Sequence, residues 1–597
     1  MTASDETVHA ASQQFKENLA RIEALTLRLT EALSQKRAVN PALEGPGADL
    51  YLKASTSLMR EMMEKPSKIV EAQVAYWGQA MTQYMEATEA LRGGTLTPPA
   101  DTGRKDRRFS NPLWDTHPYF NFVKQQYLIA SDAVKDNLSK LEGLDDVDQK
   151  RMTYFAQQIV DLMAPTNFLA TNPDALERAV ETEGESLVRG LENLVRDVEA
   201  NKGDLVVTLA DRDAFKLGEN IATMEGSVVY RNRLFELIQY APTTEKVHKT
   251  PLLIFPPWIN KYYVLDLKPA NSLIKWIVDQ GFTLFVVAWR NPGQGFDEVG
   301  LEEYIDEGYL TAIGQVKAIT GEKKINAVGY CIAGTGLSLT LALLQKRKDK
   351  SINCATFFTT LTDFSDQGEF TAFLQDDFVD GIEAQCKADG VLSSYFMTRT
   401  FSFLRANDLI YQPAIRSYML GERPPAFDLL YWNGDSTNLA GRMTIQYLRD
   451  LCQANKFAVG GYELMGERLS ISDVKVPLMA IACETDHIAP WIASFSGIAK
   501  MGSKEKTFVL SESGHIAGIV NPPSKRKYGH YLSEAPIENH EVWKEAAAYQ
   551  EGSWWPQWGT WLAEKSGSFV TARAVGGPDH PVLCAAPGSY VVEIPEL

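Results

Sequence analysis

The chain has 597 residues, with 59 Lys and Arg against 76 Asp and Glu, giving a formal net charge of −17. That balance argues against general nucleic-acid binding, which needs a basic footprint. Apolar residues make up 45% and charged residues 23%, an ordinary globular mixture that supplies a large packed core, and the length fits roughly two to four domains.

The N-terminus, MTASDETVHA, lacks the basic and then apolar blocks of a secretory signal. No apolar run reaches the roughly 18 residues that a spanning helix needs, so a cytoplasmic chain is expected. Phe15, Leu19, Ile22, Leu25, Leu29 and Leu33 recur every three or four positions, the stripe of an amphipathic helix. Residues 41–49 and 93–106 are rich in Gly and Pro and read as linkers, so a helical segment spans 1–92. Residues 106–203 form a second helical domain by their Leu, Ala, Glu and Arg content.

After Gly203 the pattern changes, and a catalytic domain of mixed strands and helices is expected over 204–597. LVVTL (205–209) and SVVYRN (227–232) are β-type segments. PLLIF (251–255), TLFVVAW (283–289), INAVG (325–329), ATFFTT (355–360), PLMAIA (477–482) and TFVL (507–510) follow. Short apolar runs alternating with helices imply buried parallel strands in an α/β layer architecture. Between Thr360 and Pro477 the rhythm breaks into a long interval rich in aromatics, including Phe370, Phe373, Phe378, Phe396, Tyr411, Tyr418 and Trp432. This is an inserted cap, at about 365–445. Its aromatics either form the cap's own core or line a channel.

Six cysteines occur (Cys331, Cys354, Cys386, Cys452, Cys483, Cys584), with neither a CxxC pair nor regular spacing. A disulfide scaffold and a zinc ribbon are thereby excluded. One cysteine has a telling context. Gly329-Tyr330-Cys331-Ile332-Ala333-Gly334 follows a strand and opens a helical run, the strand, sharp turn and helix of a nucleophile elbow with Cys in place of Ser. The acid and the base should follow in that order, each in a loop after a later strand. Asp486 follows PLMAIACET and His515 follows TFVLSESG, so both lie at the sheet edge that carries Cys331.

His487, beside Asp486, is assigned a supporting position, because the elbow topology places the base after the next strand. An oxyanion site needs one backbone N–H from the residue after the nucleophile, Ile332, and another from an earlier strand-to-helix loop. Pro256-Pro257-Trp258-Ile259-Asn260 follows PLLIF. Neither proline has an N–H, so the second donor is Trp258 or Ile259. Lys525-Arg526-Lys527 is a basic trio on an acidic chain, either a solvated loop or a contact to an anionic substrate handle. No dinucleotide fingerprint, P-loop, HExxH or EF-hand pattern is complete, so neither a nucleotide cofactor nor a metal is expected.

A thiol nucleophile forms a thioester acyl-enzyme close in energy to a thioester substrate, which favours transfer over hydrolysis. At this point the residues resemble those of the polyhydroxyalkanoate synthases, which polymerise (R)-3-hydroxyacyl-CoA. The likeness runs from Asp106-Arg107-Arg108-Phe109 and Trp114, through Pro256 to Tyr263, Trp289-Arg290-Asn291-Pro292, the cysteine box, and Trp432-Asn433 with Asp435 and Thr437-Asn438. It continues through Asp486-His487, Gly514 to Gly518, and Gly552-Ser553-Trp554-Trp555-Pro556 with Trp558, to Ala586-Pro587-Gly588.

The resemblance implies an α/β-hydrolase fold with a cap, Cys331 as acyl acceptor, His515 as base and Asp486 assisting hydroxyl attack. It further implies a single-subunit class I enzyme for short-chain monomers such as 3-hydroxybutyryl-CoA. The CoA thioester is then substrate rather than cofactor, and CoA is the anionic handle in the second of the two readings of the trio, the first being a solvated loop. A homodimer associated with polymer granules, with granule coat proteins as further partners, is also implied, which gives the Phe15 to Leu33 stripe a second reading besides helix pairing. Ala333 stands where many members have Gly, and Leu439-Ala440 where Leu-Pro is common. The competing readings are a cysteine-type hydrolase or thioesterase that releases free acid, and an idle granule scaffold; the latter predicts a broken triad.

Overall fold

The computed structural model describes residues 3–35, 106–139 and 144–594, with side chains of the first helix from Glu17 onward. The linkers expected at 41–49 and 93–106 and the remainder of the 1–92 segment lie outside the described residues, apart from Asp106 itself. Two compact units emerge, Met1–Asp211 with Thr400–Pro425, and Arg212–Arg399 with Ala426–Leu597.

The first unit is helical, as its composition predicts: α1 (Ala3–Ser34), α2 (Pro118–Ser139), α3 (Asp146–Leu162), α4 (Pro173–Glu181) and α5 (Glu185–Ala200). Asp145 caps α3 through the amides of Val147 and Asp148, and Asn172 caps α4 through Ala175, with Pro173 at the first helical position. Helix α1 packs on α5 through Leu25, Val188 and Val195, with Leu29 and Leu191 alongside. Only part of the predicted stripe is used, since Leu19, Ile22 and Leu33 are exposed. Arg21 pairs with Glu185 and Glu192 at 2.9 and 2.8 Å and Arg28 with Glu199 at 2.7 Å. Phe109, Trp114 and Phe120 form a separate small core. Within the same unit, Asn193 of α5 donates to the carbonyls of Ser417 and Glu422, and Tyr418 donates to Asp197.

The β-segment expected at 205–209 is not a strand. Thr208 donates through its amide and hydroxyl to Asp197 (3.1 and 2.7 Å), so this extended run is spent on a side-chain carboxylate instead of a neighbouring strand.

The second unit is built on an 11-stranded sheet. In chain order its strands are β1 (Gly226–Arg231), β2 (Phe235–Tyr240), β3 (Leu252–Phe255), β4 (Leu284–Trp289), β5 (Ile325–Tyr330), β6 (Ile352–Phe358), β7 (Leu478–Cys483), β8 (Lys506–Ser511), β9 (His530–Leu532), β10 (Ala548–Gln550) and β11 (Cys584–Ala585). Across the sheet they run β10-β9-β8-β7-β6-β5-β3-β4-β2-β1-β11. The six from β8 to β4 are mutually parallel, and the edges are antiparallel. The parallel strands are those the apolar runs predict, because strands covered on both faces exclude polar residues. Between β6 and β7 the cap interval is mainly helical, with Val391–Leu392 pairing against Leu439–Ala440. Phe370, Phe373, Phe378 and Phe396 touch in succession there, so these rings pack on one another.

Candidate active site

Strand register brings the expected groups to one edge. Phe255 is opposite Gly329, Tyr330 opposite Phe358, and Cys483 opposite Ser511, so the loops after β3, β5, β7 and β8 all leave the same side of the sheet.

Cys331 joins β5 to α6 (Ile332–Lys346) with φ 54° and ψ −127°, a conformation that a non-glycine residue adopts only when its surroundings enforce it. The enforcement is visible. The Cys331 amide donates to Phe358 O (2.9 Å), and its carbonyl accepts from Gly334 and Thr335. A Cβ on Gly329 would stand 2.5 Å from the Gly334 Cα, and one on Gly334 would overlap Thr360. The strained turn thus leaves Cys331 half-buried at the head of a helix whose leading amides, Ile332 and Ala333, have no helical acceptor.

His515 and Asp486 form a buried pair, Nδ1 to Oδ2 at 2.7 Å, and the imidazole lies close enough to Cys331 to feel its charge. The other oxygen of Asp486 accepts from the amides of Ile488 and Ala489 (2.8 and 2.9 Å), which fixes the carboxylate plane. Burial works to lower the pKa of His515, but the charges of Asp486 and Cys331 and the hydrogen bond to Asp486 override it and raise the value to about 10. Neighbouring His487 is half-buried, and it is His515 that is hydrogen-bonded to Asp486 and lies beside Cys331.

The His515 loop is fastened from the C-terminal region. Trp554 and Trp555 donate their indole N–H to Gly518 O (2.8 Å) and Ile519 O (2.9 Å), and Tyr330 donates to His515 O (3.1 Å). The sequence names the tryptophan pair but gives it no task; its only signal is two adjacent indoles, each needing an acceptor once buried.

Trp258 and Ile259 follow β3, as expected. Their loop is gripped by Thr437, whose hydroxyl donates to Trp258 O and accepts from the Asn260 amide, both at 2.9 Å. Asn260 has φ 66°, so the chain turns sharply there. Lys261 pairs with Asp435 at 2.8 Å, Tyr263 donates to the same carboxylate (2.8 Å), and Trp432 donates to Lys261 O (2.6 Å). Thr437 and Asp435 therefore hold the loop, a function invisible in a motif read only by spacing. Lys525, Arg526 and Lys527 are exposed on the connection between the His515 loop and β9 and form no ion pair among the described residues.

Among the described residues, no group of three His, Cys, Asp or Glu is placed to hold a metal ion, and no helix is long and apolar enough to cross a membrane.

Comparison with known proteins is consistent across nearly the whole chain. Residues 105–277 match the family described as poly-beta-hydroxybutyrate polymerase (PhaC) N-terminus, and residues 250–522 match the alpha/beta hydrolase fold. The poly(3-hydroxyalkanoate) polymerase subunit PhaC of Rhizobium etli is 41% identical over 89% of this chain and 84% of its own length. The poly(3-hydroxyalkanoate) polymerase of Methylorubrum extorquens is 38% identical over 98% of this chain and 97% of its own. The Cupriavidus necator polymerase subunit PhaC is 38% identical, with 88% and 89% covered.

Proposed function

The chain belongs to the poly(3-hydroxyalkanoate) polymerase (PhaC) family, and from that premise we propose that it is an acyltransferase joining (R)-3-hydroxyacyl units from CoA thioesters into a polyester, with Cys331 as the acyl acceptor. The observation that carries the proposal is the buried Asp486–His515 pair beside Cys331 at the edge of the parallel strands. His515 accepts the thiol proton, and the thiolate attacks the acyl carbon of the CoA thioester. The oxyanion is met by the Ile332 N–H and by that of Trp258 or Ile259. The departing CoA sulfur takes the proton back from the imidazolium, leaving an acyl-Cys331 thioester. In the second half, His515 removes the proton of an incoming hydroxyl, which attacks that thioester and extends the ester chain, expelling the Cys331 thiolate, which takes the proton back from the imidazolium. Both oxygens of Asp486 are already engaged, one by His515 and one by two amides, which supports an orienting role over direct proton removal from the hydroxyl.

The finer reading is a class I enzyme for short-chain monomers, acting as a homodimer at the surface of cytoplasmic polymer granules, with coat proteins as further partners. The exposed trio Lys525, Arg526 and Lys527 would contact CoA phosphates. The reaction as proposed needs no cofactor. The test is to incubate the full chain with (R)-3-hydroxybutyryl-CoA, follow free CoA with a thiol reagent and weigh the acyl product. High-mass polyester supports the proposal; monomeric acid would indicate the hydrolase reading, and absence of CoA release from any 3-hydroxyacyl chain would refute both.

A further inference from the structure

We propose that Tyr309 is a positioning residue for acyl transfer, a brace between the helix head and the separate loop that carry the oxyanion amides. The inference rests on the acyl-transfer reading above and adds to it a residue outside the triad.

The physical need is specific. One amide follows Cys331 and the other lies after β3, and the β3–β5 ladder ends at Phe255 opposite Gly329. Beyond that pair, no strand hydrogen bond fixes the distance between the two donors. A donor pair that stabilises a developing oxyanion must be held to within about half an ångström before the reaction starts.

Tyr309 touches both sides of the gap. Its ring stacks on Phe255 at 4.2 Å and 24°, and meets Trp258 edge-on at 6.3 Å and 84°. Its hydroxyl donates to Ala333 O at 2.6 Å, in the first turn of α6 directly after Cys331 and Ile332. The side chain is fully buried. Space is kept for it: a Cβ on Gly336 would lie 2.5 Å from the Tyr309 hydroxyl, and one on neighbouring Gly308 would lie 2.9 Å from the Trp289 ring. Trp289 completes the arrangement by donating to Pro256 O (2.7 Å) while its ring lies 5.7 Å from Tyr309.

Tyr309 stands in the π-helical stretch Tyr304–Leu310. The wider turn there changes the direction in which its side chains leave the axis, a device that recurs at functional sites. A ring serving only as core volume would have no need of a hydroxyl bonded to the nucleophile helix.

The experiment compares the unchanged full chain with Tyr309→Phe, which keeps the ring and removes the hydroxyl, and with Tyr309→Leu, which removes both. Two rates are read at Cys331 by peptide mass spectrometry. Acylation by (R)-3-hydroxybutyryl-CoA passes through an oxyanion, whereas alkylation by iodoacetamide is a displacement at saturated carbon and forms none. The expected result for Tyr309→Phe is an acylation rate reduced about 10- to 100-fold, unchanged alkylation and an unchanged melting temperature, with a larger acylation loss in Tyr309→Leu. Acylation equal to that of the unchanged chain, or equal losses in both rates, would overturn the brace. If the unchanged chain forms no acyl-Cys331 at all, the acyl-transfer reading fails and the brace fails with it. A deficit confined to the variants separates the two cases.

Discussion

In the sheet unit, six parallel strands are buried along nearly their whole length, whereas the described residues of the helical unit pack in small clusters around Leu25 and Trp114, and α1 meets α5 through half-exposed ion pairs. The first arrangement is stiff because every strand is fixed on both edges by a ladder and on both faces by apolar packing. The second is weak per contact, since exposed pairs gain little over water and lose that gain in salt. Cys331 at φ 54°, set between the head of α6 and the loop after β3, can be maintained only on the stiffer frame. Changes in the sheet unit's site should therefore cost chemistry with little stability, and changes in the helical unit should cost stability or nothing.

The largest effect should come from Asp486→Asn. It removes the charge that orients and raises His515, and CoA release should fall by about 10²- to 10⁴-fold, measured with a thiol reagent. Retained activity would break the contrast at its strongest point. The same pair predicts a pH signature. The pKa of His515 is raised from 6.5 to about 10, so the folded state holds the proton more tightly than the unfolded chain. The stabilisation is full below about pH 6.5 and is lost as pH rises through about 10. The melting temperature of the unchanged chain should exceed that of Asp486→Asn most at the low end of this window and approach it at the high end; a gap that widens with pH would contradict the assignment.

In the helical unit, Leu25→Ala should lower stability by about 2–3 kcal/mol through loss of packing between α1 and α5, read by denaturant unfolding, with CoA release per folded molecule unchanged. The smallest effect is expected from Arg28→Ala. Its pair with Glu199 is exposed, so the shift in melting temperature should be barely measurable and should vanish in high salt.

How legible each region is in sequence follows the same division. Strands β3 to β8 announce themselves because burial on both faces leaves near-continuous apolar runs. Strand β2, FELIQY, hides among them although it is wholly buried. Its Glu236 is matched by Arg231 and by the amides of Ser589 and Tyr590, partners more than 350 residues away in the last two cases. The run 205–209 errs in the opposite direction, looking like a strand while Thr208 serves Asp197. At the site, Cys331, Asp486 and His515 are readable from order and context, because the elbow fixes where each must stand. Thr437, Trp554 and Tyr309 are not, since each bonds a backbone carbonyl of a segment distant in sequence, and a hydroxyl or an indole in sequence does not say which carbonyl it meets.

The central claim is that Cys331 carries the acyl group, and rapid quenching of the full chain with (R)-3-hydroxybutyryl-CoA followed by peptide mass spectrometry tests it most directly. The account predicts a 3-hydroxybutyryl group, or an oligomer of it, on the peptide containing Cys331, appearing with the first release of CoA and absent in Cys331→Ala. Polymer formation with Cys331 unmodified, or by Cys331→Ala, would contradict it.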